Sequence, residues 1–144
     1  MLDTPWITEV PAQLSAAIHL TISRDEIRRV IDPALHELID AVESQGLTPT
    51  GPWFTHHFSI DPEIFDFEVC LPLATKIAPT GRVRPSELPA SKVARTIYYG
   101  GLSGLPAAWR EFNDWIAERG LTAAADLWEC HVSKGRTELN RPLT

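Results

Sequence analysis

The chain has 144 residues, 44% of them apolar and 22% charged, with a formal net charge of −6. That length is near the commonest size for one folding domain, and the ordinary globular composition excludes wholesale disorder. The acidic balance argues against a phosphate-binding surface, because nucleic-acid domains usually carry a basic stripe, and no apolar run approaches the ~18–20 residues of a spanning helix.

From the N-terminus, Met1-Leu2-Asp3-Thr4-Pro5 has no basic segment followed by an apolar stretch, so neither a secretory signal nor a membrane partner is expected and a cytoplasmic location is the simplest reading. The pattern then predicts a strand over Gln13 to Ile22, a helix over Asp25 to Gln45, a strand over Trp53 to Ile60, a turn at Asp61-Pro62-Glu63 and a strand over Phe65 to Ala74. From Lys76 to Arg84, proline and glycine spread the charges of Lys76, Arg82 and Arg84 along a loop that reads as a solvated connection, and the stretch from Pro79 to Pro89 joins the two halves. A strand over Ser91 to Tyr99, a helix over Leu105 to Arg119 and strands over Leu127 to Ser133 and Thr137 to Leu143 complete the chain, the last two joined by a tight turn at Lys134-Gly135. Cys70 and Cys130 each lie in a strand-like apolar run and read as reduced, small hydrophobes.

The chain repeats itself. Residues 31 to 59 shifted by 74 positions match residues 105 to 133 without a gap, with identities at Ala34/Ala108, Glu37/Glu111, Asp40/Asp114, Gly46/Gly120, Leu47/Leu121, Thr48/Thr122, His57/His131 and Ser59/Ser133. Composition alone would give about two identities over such a window. The conservative pairs Ile31/Leu105, Leu35/Trp109, Leu38/Phe112 and Val42/Ile116 recur at helical spacing, and the Gly-Leu pair sits where a C-terminal cap belongs. The expected fold is therefore α+β: duplicated strand–helix–strand–strand units forming one antiparallel sheet across residues 1 to 144, with two helices on one face and a ligand cleft on the other.

Alternation along Leu127 to Val132 puts Trp128, Cys130 and Val132 on one face, expected as core beneath the helices, and Leu127, Glu129 and His131 on the other. The matching strand adds Trp53, Thr55 and His57 to the Glu129 face. A face that mixes aromatics, imidazoles and one carboxylate suits a pocket for an apolar or aromatic ligand with a charged group.

The segment from Tyr98-Tyr99-Gly100-Gly101-Leu102 to Trp109, then Trp115 to Leu121 and Leu127-Trp128-Glu129, resembles the GyrI-like or AraC-type effector-binding family. The resemblance implies a cleft between duplicated halves with Glu129 at its base, facing cationic aromatic compounds. Where that family commonly has glycine, proline and tyrosine this sequence has Gly100-Gly101-Leu102, so an aromatic wall would have to come from Tyr98 or Tyr99, only one of which can face the cleft. Taken singly, Glu129 reads as a solvated strand residue, and Trp53 and Trp109 as core aromatics, Trp109 above all because it matches Leu35 on the repeated helix face.

His56, His57 and His131 invite a metal reading, but the adjacent pair must point to opposite faces, so ordinary histidines and no metal or cofactor are expected. The resulting expectation is a stand-alone binding module for sensing or sequestration, since the duplicated unit takes up the chain. The alternative implied by the resemblance is a hydrolase for strained cyclopropane-containing toxins, with Glu129 as general base and Tyr98 or Tyr99 as acid. A minor alternative is an inhibitory contact with a protein partner such as gyrase.

Overall fold

The computed structural model describes residues 1–144. Its elements are β1 (Trp6–Val10), β2 (Gln13–Ser23), α1 (Ile27–Ser44), β3 (Phe54–His57), β4 (Ile64–Leu73), β5 (Arg84–Leu88), β6 (Ser91–Tyr99), α2 (Leu105–Glu118), β7 (Leu127–Ser133) and β8 (Arg136–Pro142). All eight strands join one antiparallel sheet in the order β1-β6-β8-β7-β3-β4-β2-β5. The fold is α+β, and no helix is long and apolar enough to cross a membrane.

Both helices end as the repeated Gly-Leu pair predicts. Gly46 and Gly120 adopt φ of 71° and 68°, and the amides of Leu47 and Leu121 reach back to the carbonyls of Val42 and Ile116 at 3.0 and 3.3 Å. The left-handed glycine lets the chain turn out while the last carbonyls are still satisfied. At the entry to α1 the Glu26 carboxylate accepts from the Ser23 amide and hydroxyl at 3.3 and 2.7 Å.

Two strands lie where none is expected. The presumed connection holds β5, and β1 precedes the first predicted strand. The signal for both is a second repeat at a 78-residue offset: Glu9-Val10-Pro11-Ala12 matches Glu87-Leu88-Pro89-Ala90. Register obeys the same offset, with Val10 opposite Ser91 and Leu88 opposite Gln13, so each half lends its leading strand to the other half's edge. In the opposite sense, the expected strand from Trp53 shrinks to four residues, and Phe58 to Ile60 project at an exposed tip.

These exchanged strands force the sheet to curl. β1 and β2 stand six places apart, roughly 29 Å in a flat sheet, yet only Pro11 and Ala12 join them, a link that spans roughly 11 Å. The concave face buries Ala17, Phe54, Cys70, Leu88, Val93 and Trp128. On the other face α1 packs Ala34, Leu38 and Val42 onto Ile18, Phe67 and Val69, and α2 packs Ala108, Phe112 and Ile116 onto Ala94, Tyr98 and Leu139.

The expected assignment of faces is thereby reversed. Thr55 pairs with Val69 and with Glu129, and Val69 pairs with Ile18 in the α1 core, so Glu129 shares its face with the helices. Trp128 lies in the concave cluster, Cys130 packs beside it, and Val132 is exposed. Alternation separates two faces but does not say which one the helices cover, and in a curled sheet both are covered. Both cysteines are free.

Candidate functional site

α1 sits over β2 and β4, and α2 over β6, so the central strands β3 and β7 run in the groove between the helices. Thr55 and Glu129, related by the 74-residue repeat, are directly paired there. The pseudo-twofold axis relating the halves therefore passes between their side chains, and His57 and His131 flank it at equivalent positions.

Glu129 carries the carboxyl group at the centre of this pair. Its side chain is 14% exposed. Oε2 accepts the indole N–H of Trp109 at 2.6 Å, and Oε1 accepts the Thr55 hydroxyl at 3.5 Å. Burial raises its pKa, and these two hydrogen bonds only partly oppose the rise. No Lys or Arg pairs with it. The nearest basic group is His57, with Nε2 at 4.0 Å from Oε1, and burial, followed by repulsion from His56, Arg24 and His131, pulls the His57 pKa down to about 4. At neutral pH the imidazole is uncharged, so the carboxyl group stands without a cation.

Aromatic rings bound the site on both flanks. His131 stacks on Trp53 with centroids 3.9 Å apart and 14° between planes, and burial pulls its pKa down to about 4. His57 stacks on Phe67 at 5.0 Å and 9°, meets Phe65 edge-on at 5.3 Å, and places Nε2 3.2 Å from the Thr55 hydroxyl. Leu127 is buried opposite His57. Thus Glu129, Thr55, His57, Trp109, Leu127, His131 and Trp53 come together on one face. Phe65 and Phe67 were not singled out by the sequence, although their alternation with Val69 places them on that face.

The tyrosines do not join this group. Tyr98 faces the helices but lies two strands from β7, and its hydroxyl donates to the Gly101 carbonyl at 2.8 Å. It packs so closely on Gly100 and Gly104 that a Cβ at either would collide with the phenol. Tyr99 faces the other way, 40% exposed, and donates to Asp3 at 3.0 Å. Neither hydroxyl is hydrogen-bonded to Glu129. His56 points to the opposite face, 2.8 Å from Asp126. Cavities of about 280 Å³ beside Asp3 and Trp115, and about 200 Å³ beside Lys76 and Glu87, lie away from Glu129, whose carboxylate accepts the Trp109 indole N–H.

A family model described as the GyrI-like small molecule binding domain matches residues 4–142. No curated protein matches the chain. Among solved structures, the C-terminal domain of EcmrR superposes with a TM-score of 0.84 at 18% identity, covering 98% of this chain and 97% of that one. In the EcmrR–DNA complex the corresponding values are 0.83 and 16%, over 97% of this chain and 57% of that one, so this chain spans little more than half of the longer protein. SAV2435 bound to tetraphenylphosphonium gives 0.72 at 11% identity, covering 99% and 94%, and a hydrolase from Listeria innocua gives 0.68 at 14%, covering 97% and 91%. At these identities the likeness shows the fold.

Proposed function

This chain belongs to the GyrI-like small-molecule-binding domain family, and on that footing we propose that it binds an aromatic cation at Glu129, for sensing or sequestration. The observation that carries the reading is the carboxyl group itself: largely buried, raised in pKa by burial, and without a basic partner. An unpaired buried charge costs several kcal/mol, a cost that a bound cation would offset through direct attraction in a water-poor site. Trp53, His131, His57 and Trp109 provide the aromatic faces on which such a ligand would stack. The tetraphenylphosphonium held by SAV2435 is a ligand of this chemistry.

Titration calorimetry with tetraphenylphosphonium and with uncharged triphenylphosphine oxide tests the reading. The cation binds the wild type more tightly, and Glu129→Gln removes the difference while the circular dichroism spectrum is retained. Equal affinities in the wild type would end the assignment of Glu129.

The hydrolase alternative draws support from the raised pKa of Glu129, which suits a general base near neutral pH, and from the fold shared with the Listeria hydrolase. Its required tyrosine is the weak point, because Tyr98 spends its proton on Gly101; Thr55 and His57 are the groups near the carboxylate. Product exceeding one equivalent per chain from a cyclopropane-containing alkylating compound, by mass spectrometry, would favour hydrolysis over sequestration.

A further inference from the structure

We infer that position 55 sets the charge the site accepts, and that Thr55 opposite a single Glu129 makes this a receptor for singly charged cations that discriminates against dications. The inference rests on Glu129 as the ligand's anchor and goes beyond it to the charge class of the ligand. Thr55 and Glu129 are repeat equivalents that face each other across the pseudo-twofold axis. In most of a duplicated fold equivalent residues are far apart; here alone they are cross-strand partners, with β-carbons about 5 Å apart by the geometry of paired strands. Two carboxylates at this place would form one doubly acidic centre. With threonine on one side, the centre holds one carboxylate and a hydroxyl that donates to it at 3.5 Å.

No acid other than Glu129 pairs with either flanking histidine. On one side His131 is stacked on Trp53, and on the other the Arg24 guanidinium already lies 4.4 Å over the Phe65 ring that abuts His57. A rigid dication anchored at Glu129 would therefore place its second charge either against the His131–Trp53 stack or beside an arginine. Either placement leaves a desolvated, unpaired charge, which binding must overcome. A monocation with aryl groups on both sides of its charge meets no such penalty.

The test uses two rigid compounds of nearly the same shape: N-methyl-4-phenylpyridinium, with one charge, and N,N′-dimethyl-4,4′-bipyridinium, with two. By calorimetry the wild type binds the first at least about tenfold more tightly. Thr55→Glu shifts the ratio toward the dication by at least about tenfold, whereas Thr55→Val keeps the wild-type order, which separates added charge from a lost hydroxyl. Equal or stronger dication binding by the wild type overturns the inference, as does an unchanged ratio in a folded Thr55→Glu variant. Should that variant fail to fold, the wild-type ratio decides alone. Tetraphenylphosphonium binding that depends on Glu129 reports separately on the anchor: if it persists while the charge preference is absent, only the present inference falls, and if neither it nor the pyridinium binds, both fall.

Discussion

The two halves share a scaffold and differ in what they place at the groove. In the first, Leu35 packs against the apolar cluster between α1 and the β2–β4 pair, and Thr55 presents a hydroxyl. In the second, the equivalent positions are Trp109 and Glu129, joined by a 2.6 Å hydrogen bond. Twelve buried residues form the core cluster of the first half and six that of the second, so the half with the larger apolar core is the one without the charged group. Duplication permits this division: a polar substitution at the groove of one half is supported by the apolar packing of the other.

The largest effect expected is on packing. Phe67, fully buried in the first half and stacked behind His57, should lose about 3–5 kcal/mol of stability on Phe67→Ala in urea unfolding. A loss under 1 kcal/mol would break the claim that this half anchors the groove.

The comparison sharpens at Glu129. Loss of the charge in Glu129→Gln should weaken tetraphenylphosphonium binding about 30- to 100-fold, as for an ion contact in a water-poor site. Its effect on stability has the opposite direction. Because burial raises the folded-state pKa of Glu129, the folded protein holds that proton more tightly than the unfolded chain, and stability falls as pH rises through the window from about 4.5 upward. Glu129→Gln should therefore be more stable than the wild type at pH 7, and the two should converge below pH about 4.5. Thermal unfolding across that range checks both ends.

The paired imidazoles predict a second pH dependence, shared by the halves. His57 and His131 fall from 6.5 to about 4, so their neutral forms are favoured in the fold, and stability is lost as pH drops through the window between those values. Replacing either by Gln should flatten the acid limb of the stability profile, and replacing both should flatten it further.

Trp109→Phe removes the N–H that now occupies Glu129 and should tighten cation binding about tenfold, the scale of a hydrogen bond to a charged group. The equivalent Leu35→Phe should leave binding unchanged. Smallest is the effect at the helix caps: Gly46→Ala and Gly120→Ala should each cost about 1 kcal/mol, because alanine resists the left-handed conformation, and equal costs would show that the halves are equivalent away from the groove.

Much of this was legible along the chain. The 74-residue repeat, the Gly-Leu caps and the limits of β6 and β7 follow from periodicity and turn chemistry, which are local properties. Alternation likewise grouped Glu129 with Thr55, His57, His131 and Trp53. The strands β1 and β5 leave no local signal because each is five residues long and finds its only partner in the other half, so their formation depends on contacts that no local window contains. For the same reason the tyrosines were placed only by the fold: adjacent residues must face opposite ways, but that Tyr98 turns its hydroxyl to Gly101 depends on the close approach of the Gly100 to Gly104 turn. Sequence alone determined which residues share a face, since the two-residue period of a strand is built into its backbone. Only the tertiary structure decided which face lies under the helices, because that depends on the register of eight strands and on the curl imposed by two short exchanged links.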